Sequence, residues 1–133
     1  MQRLHIACEQ NNRDIGEMRI LLATKDQTPE QISEAVGAGL HLCGENKVQE
    51  LKEKAAQLKN VDVVWHFIGH LQTNKVMDCV QIVNCVQSVD RASLVDELER
   101  WMRDGRLDNA APGEPAVSRA DLHSFLLSPA PSR

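Results

Sequence analysis

The sequence predicts an α/β chain of parallel βα repeats, four in number, forming the first half of a (βα)8 barrel and followed by an irregular C-terminal tail. Three observations carry that expectation. Short apolar runs rich in β-branched residues alternate with stretches of helical periodicity between residues 18 and 105. The connections between them are short, as right-handed crossovers between parallel strands allow. The alternative, an open doubly wound sheet, lacks its Gly-x-Gly-x-x-Gly phosphate fingerprint after the first strand.

The elements follow in order. Residues 4–12 read as a short amphipathic helix carrying Leu4, Ala7 and Cys8. Residues 18–24 form the first strand. Thr28 is then an N-cap, Pro29 the first helical residue and Gln31 the partner in a capping box; Ile32, Ala35 and Val36 share one side and Gly39 is the stop. A second strand spans 40–43 and is closed by Gly44. Val48, Leu51, Ala55 and Leu58 then mark one face of a helix over about 45–59. Its outer face carries Glu50 and Lys54 at i, i+4 spacing with Lys59 near the end, and these lysines read as a solvated surface.

Residues 61–68 form a nearly continuous apolar strand interrupted by His66 and ended by Gly69 and His70. A helix over 72–80 places Val76, Cys79 and Val80 inside, and 82–89 is the fourth strand. Asp90 is a suitable N-cap for a helix in which Leu94, Leu98, Trp101 and Met102 line one face, ending near Gly105.

At 133 residues, 42% apolar and 26% charged, the chain has material for one core. A net charge of −4 offers no broad attraction to nucleic acid or to anionic membranes. No apolar stretch approaches the roughly 20 residues of a membrane helix, and the amino end lacks a secretory layout, so the chain reads as cytoplasmic, with a mitochondrial destination left open. Cys8, Cys43, Cys79 and Cys85 are too irregularly spaced for a disulfide framework or a zinc site and read as buried thiols.

Residues 109–133 hold four of the five prolines and no lysine, without clean periodicity. They are expected to be disordered, apart from one helical turn near 123–127, and to lie outside a domain of residues 1–108. The abrupt change of composition fits an altered reading frame or alternative exon, which sequencing the transcript across the codons for 105–112 tests.

Lys25 stands where the first strand feeds a helix. The carboxyl edge of a parallel sheet is where α/β proteins build ligand sites, so an amine there suggests an imine with an aldehyde. A free lysine amine titrates at about 10.4, and imine formation needs desolvation or a neighbouring cation to free its lone pair. The plain alternative is a surface lysine in a βα loop.

Three segments carry a resemblance: Ile20-Leu-Leu-Ala-Thr-Lys25, Gly44-Glu-Asn-Lys-Val-Gln-Glu-Leu51 and His66-Phe-Ile-Gly-His-Leu-Gln-Thr-Asn-Lys75. Together they closely resemble the pyridoxal phosphate homeostasis proteins, single-domain TIM-type barrels related in fold to the amino-terminal domain of alanine racemase. The resemblance covers residues 18 to about 106 and stops before the tail, as if the barrel were truncated after its fourth βα unit. It implies a cofactor, pyridoxal 5'-phosphate, held as an internal aldimine on Lys25. It also implies a non-catalytic role in intracellular pyridoxal phosphate homeostasis, impaired by the loss of phosphate-holding segments.

Asp26 departs from the small hydroxyl residue of that family and invites an ion pair with Lys25. Asn46 would contact the cofactor ring or serve a helix terminus, and His70 would line the pocket or cap its loop. Gly44 reads as a tight turn near the ligand, Glu45 as a first-turn acid, His66 as a histidine bonded into the interior and Trp65 as core. His5, His41 and His123 form no metal-ligand spacing. The rival functions are an inactive half-barrel fragment or interaction module without cofactor, and an amino-acid racemase, which would need a second acid/base in a chain with no tyrosine. A half-barrel would also expose two sheet edges and its inner face, so self-association is expected.

Overall fold

The computed structural model describes residues 2–103, which form helix α1 (Gln2–Gln10) and then four βα units: β1 (Leu22–Ala23), α2 (Pro29–Gly37), β2 (Leu42–Glu45), α3 (Val48–Gln57), β3 (Val64–Phe67), α4 (Val76–Val80), β4 (Cys85–Val86) and α5 (Ala92–Arg103). All strand pairs are parallel and their order in the sheet is β1-β2-β3-β4. Strict sequential order is what an arc of a barrel requires; a doubly wound sheet would reverse direction at a switch point. The expected tail over 109–133 and the helix stop at Gly105 lie outside the described residues.

Pairing rather than apolarity fixes the strand bounds. The run 18–24 contributes only Leu22 and Ala23, because β1 meets its neighbour among the described residues, β2, at Cys43 and Gly44. Ahead of it, Asp14 caps a 3-10 turn over Ile15–Glu17 through the N–H of Gly16, and that turn ends at Met18. β2 begins and ends two residues later than expected, its bounds matched to β3 by the register Leu42–Val64 through Glu45–Phe67. Gly44 is therefore a strand residue rather than a turn, and Glu45 belongs to the sheet rather than to the first turn of a helix. β3 and β4 are likewise shorter than the apolar runs that contain them.

Helix α2 follows its sequence signals closely. Gln31 N–H donates to Thr28 Oγ1 and Gln31 Oε1 accepts from Thr28 N–H, with Pro29 at the first helical position. At the other end Leu40 N–H reaches Ala35 O and Gly39 N–H reaches Val36 O, a Schellman arrangement that needs the positive φ of Gly39, +89°. At α5 the expected cap is not made: the Asp90 carboxylate is engaged by His70 and Arg91, and the helix starts at Ala92.

One face of the sheet packs under the helices. Cys43, Trp65 and Phe67 join Ile32, Leu51, Leu71, Val76, Cys79, Leu94, Leu98 and Trp101 in a continuous buried core. Alternation along the strands assigns Ala23, Gly44, His66 and Cys85, which lie in one register row, to the opposite, inner face. Lys54 corrects a second expectation: it is buried, 8% exposed, not solvated. It stands three residues after Leu51 and four before Leu58, within the packing stripe of α3, and a buried acid receives it there. No helix among the described residues is long and apolar enough to cross a membrane.

Candidate functional site

The carboxyl edge of β1 ends in a turn built around Lys25. Thr24 N–H donates to Gly44 O at 2.9 Å, which carries the β1–β2 ladder one residue further, and Gln27 N–H closes the turn on Thr24 O at 3.1 Å. Lys25 and Asp26 occupy the two central positions. Asp26 has φ +62°, a left-handed conformation that aspartate tolerates better than most side chains. Lys25 is exposed, and among the described residues no carboxylate comes within ion-pair distance of its Nζ. The expected Asp26–Lys25 pair is not among the ion pairs of the described residues. Lys47 is held above the ordinary lysine range chiefly by its hydrogen bond to Glu50, with Asp26 a smaller contributor.

Beneath this turn lies a buried polar cluster. Lys54 Nζ donates to Glu45 Oε1 at 2.6 Å and to Thr24 O at 2.7 Å. Thr24 Oγ1 donates to the same Glu45 oxygen at 2.8 Å and lies 3.2 Å from Gly44 O. Thr24, Glu45 and Lys54 are respectively 3%, 0% and 8% exposed, so these bonds form where water does not compete. Glu50 approaches Lys54 at 3.5 Å from the rim, and its carboxyl is held below the usual range mainly by Lys47, with the backbone N–H of Asp26 adding to the effect. None of Thr24, Glu45 and Lys54 stood out as a functional residue in the sequence. The available signal was spacing: Lys54 falls on the apolar stripe of its helix.

Asn46 follows β2 as Lys25 follows β1. Since Ala23 pairs with Gly44, Lys25 and Asn46 stand two positions beyond a paired row, side by side at the carboxyl edge. Asn46 Oδ1 is buried and accepts no hydrogen bond, an unsatisfied acceptor of the kind that marks a ligand contact or a strained loop. Its backbone is held by close approach of the β3 loop: a Cβ on Gly69 would lie 2.2 Å from Asn46 O and 2.6 Å from its Cα. Gly69 is in turn fixed by Ser88 Oγ, which donates to its carbonyl.

His70 lies on the surface, its side chain 64% exposed, with Nδ1 3.1 Å from Asp90 Oδ2. Asp90 is held below the usual carboxylate range first by Arg91 and then by His70. His70 and Asn46 line a common cleft of ≈ 320 Å³ that also includes Lys47, Lys52, Gln72 and Lys75. Lys25 is not among its lining residues. The structure thus brings Lys25 beside Asn46, and places Asn46 and His70 on one cleft.

His66 is buried in β3 with Nδ1 2.9 Å from Gln87 Nε2. Burial pushes the thiol of Cys43 up to about 11 and that of Cys79 to about 12. Among the described residues no group of three or more His, Cys, Asp or Glu side chains is disposed to hold a metal ion.

An exposed amine without an ionic partner beside an unsatisfied buried acceptor fits a ligand that offers an aldehyde and a hydrogen-bond donor. No family model matches the chain. It is 42% identical over 100 residues to the pyridoxal phosphate homeostasis protein of Aquifex aeolicus, covering 75% of this chain and 44% of that protein. To the human protein of the same name it is 34% identical over 113 residues, covering 78% of this chain and 41% of the relative. The chain therefore spans less than half the length of these curated relatives. The solved structure of PipY from Synechococcus elongatus with PLP bound superposes with a TM-score of 0.62 at 30% identity, covering 91% of this chain and 60% of PipY.

Proposed function

Since the chain belongs to the pyridoxal phosphate homeostasis protein family, we propose that it is a non-catalytic pyridoxal 5'-phosphate-binding protein whose attachment point is Lys25. When bound, the cofactor supplies an aldehyde that condenses with a primary amine: a C=N bond forms and the aldehyde oxygen leaves as water. The observation that carries the proposal is the Lys25 amine, exposed and unpaired among the described residues at the carboxyl edge of β1. Asn46, one strand away with an unsatisfied amide oxygen, is the candidate for accepting a hydrogen bond from the cofactor ring. His70 is a rim residue of the neighbouring cleft.

A racemase reading has less support. Removing and returning a proton on opposite faces needs a second acid/base facing the lysine; the chain has no tyrosine, and the His70 Nδ1 is engaged by Asp90.

The test is the visible spectrum of the purified protein with pyridoxal phosphate, followed by borohydride reduction and peptide mapping. A new visible band, with the reduced adduct on Lys25 and loss of both in Lys25→Ala, supports the proposal. Absence of an adduct on Lys25 would leave a half-barrel without cofactor as the reading to adopt. Self-association is part of the proposal: among the described residues β1 and β4 are both edge strands, and a second copy would cover them and the inner face. Light scattering that gives a stable compact monomer overturns that part.

A further inference from the structure

We propose that the buried Glu45–Lys54 pair is a positioning device for Lys25, acting through the backbone of Thr24. This rests on the reading of Lys25 as the attachment point and extends it to residues that touch no ligand. The Thr24 carbonyl is the last backbone acceptor before Lys25, and it receives two donors: Gln27 N–H at 3.1 Å, which shapes the turn, and Lys54 Nζ at 2.7 Å, which ties that turn to α3. Thr24 Oγ1 adds a third link, to Glu45 Oε1 at 2.8 Å, so the residue is held at both its carbonyl and its side chain.

β1 is two residues long and, among the described residues, has one neighbouring strand, so ladder bonds alone fix its carboxyl end weakly. Alternation places Thr24 on the helix-facing side and Lys25 on the other. Fixing Thr24 from beneath therefore fixes where the Lys25 side chain leaves the strand. The two lysines divide the work. Lys54 spends its charge on Glu45 and a backbone carbonyl, and Lys25 stays available beside Asn46.

The experiment compares the native chain with Glu45→Met/Lys54→Met, which replaces both charges with apolar side chains of similar length, and with the pair Thr24→Val and Thr24→Ser. Two quantities are read: the rate of imine formation at Lys25 with pyridoxal phosphate and with pyridoxal, and hydrogen exchange of the Gln27 amide in protein without any aldehyde. The double Met variant and Thr24→Val should slow imine formation about tenfold or more, equally for both aldehydes, because the device acts on the amine and not on a phosphate site. Gln27 should lose protection in both variants. Thr24→Ser, which keeps the hydroxyl, should restore the rate lost in Thr24→Val.

If the double variant does not fold, the threonine pair decides the matter. Unchanged rates and unchanged Gln27 protection in folded variants overturn the positioning role. A native chain inert to both aldehydes sinks the attachment reading instead, and the exchange measurement still decides the tether.

Discussion

Lys54 Nζ lies 2.6 Å from Glu45 Oε1, with the lysine side chain 10% and the glutamate side chain 0% exposed. A charge pair in that setting contributes little net stability over apolar residues of the same size, yet each partner depends on the other to be there at all. Glu45→Met or Lys54→Met alone should lower unfolding free energy by about 3–5 kcal/mol, because each strands a buried charge. The double variant should recover most of that loss. Urea denaturation of the four proteins of this cycle checks it, and additive losses would show that the two side chains do not act as a pair.

Gly69 and Gly44 make a sharper comparison. A Cβ on Gly69 meets the backbone of Asn46, with the carbonyl oxygen at 2.2 Å and the carbonyl carbon at 2.7 Å. A Cβ on Gly44 meets the side-chain ends of Leu21 at 2.7 Å and Ile68 at 2.9 Å. Backbone cannot retreat as the end of a side chain can, so Gly69→Ala should cost about 3 kcal/mol and Gly44→Ala about 1 kcal/mol, the two ends of the usual overpacking range. Thermal melts of the two variants give the order, and the reverse order would mean that the β2 and β3 loops are looser than their contact implies.

The four βα units and the capping box of α2 were legible because they depend on local chemistry: Thr28, Pro29 and Gln31 need only one another. Strand length was not, because the apolar runs around β1 and β4 continue past the two residues that find a partner. Lys25 was visible by position. Its support was hidden, since a lysine at i, i+4 from Glu50 has the usual look of a surface pair, and only the fold brings Glu45 to Lys54 from a neighbouring strand. The Asp90 cap failed for a related reason: His70 and Arg91 compete for the carboxylate, and His70 comes from a loop distant in sequence.

Asp26 adopts φ +62° at the centre of the Lys25 turn. A β-branched side chain there meets the steric cost of the left-handed region in full, whereas glycine meets none. Asp26→Val should therefore destabilise the protein by about 1–2 kcal/mol, and Asp26→Gly should be near neutral. Because Asp26 forms no ion pair with Lys25, Asp26→Asn should leave the rate of imine formation at Lys25 essentially unchanged. Denaturant midpoints and imine kinetics on the three variants test both statements, and a marked acceleration in Asp26→Asn would show that the aspartate charge does act on the amine.

Cys43 and Cys79 impose an alkaline limit on stability. Both are fully buried, and burial raises their thiols from 9.0 to about 11 and about 12 respectively. Below pH 9 the folded and unfolded chains both keep these protons, and the thiols contribute no pH dependence. Above it the unfolded chain releases protons that the folded chain retains, so stability falls as pH rises from about 9 toward 11 for Cys43 and 12 for Cys79. One pH unit into that window the loss is about 1.4 kcal/mol per thiol. Melting temperature should drop steeply over this range in the native chain and less steeply in Cys43→Ala/Cys79→Ala, whatever the offset that the smaller side chains introduce. Iodoacetamide at pH 8 should leave both residues unmodified until the protein is unfolded, and rapid native-state alkylation of Cys79 would show that the core opens far more readily than its packing indicates.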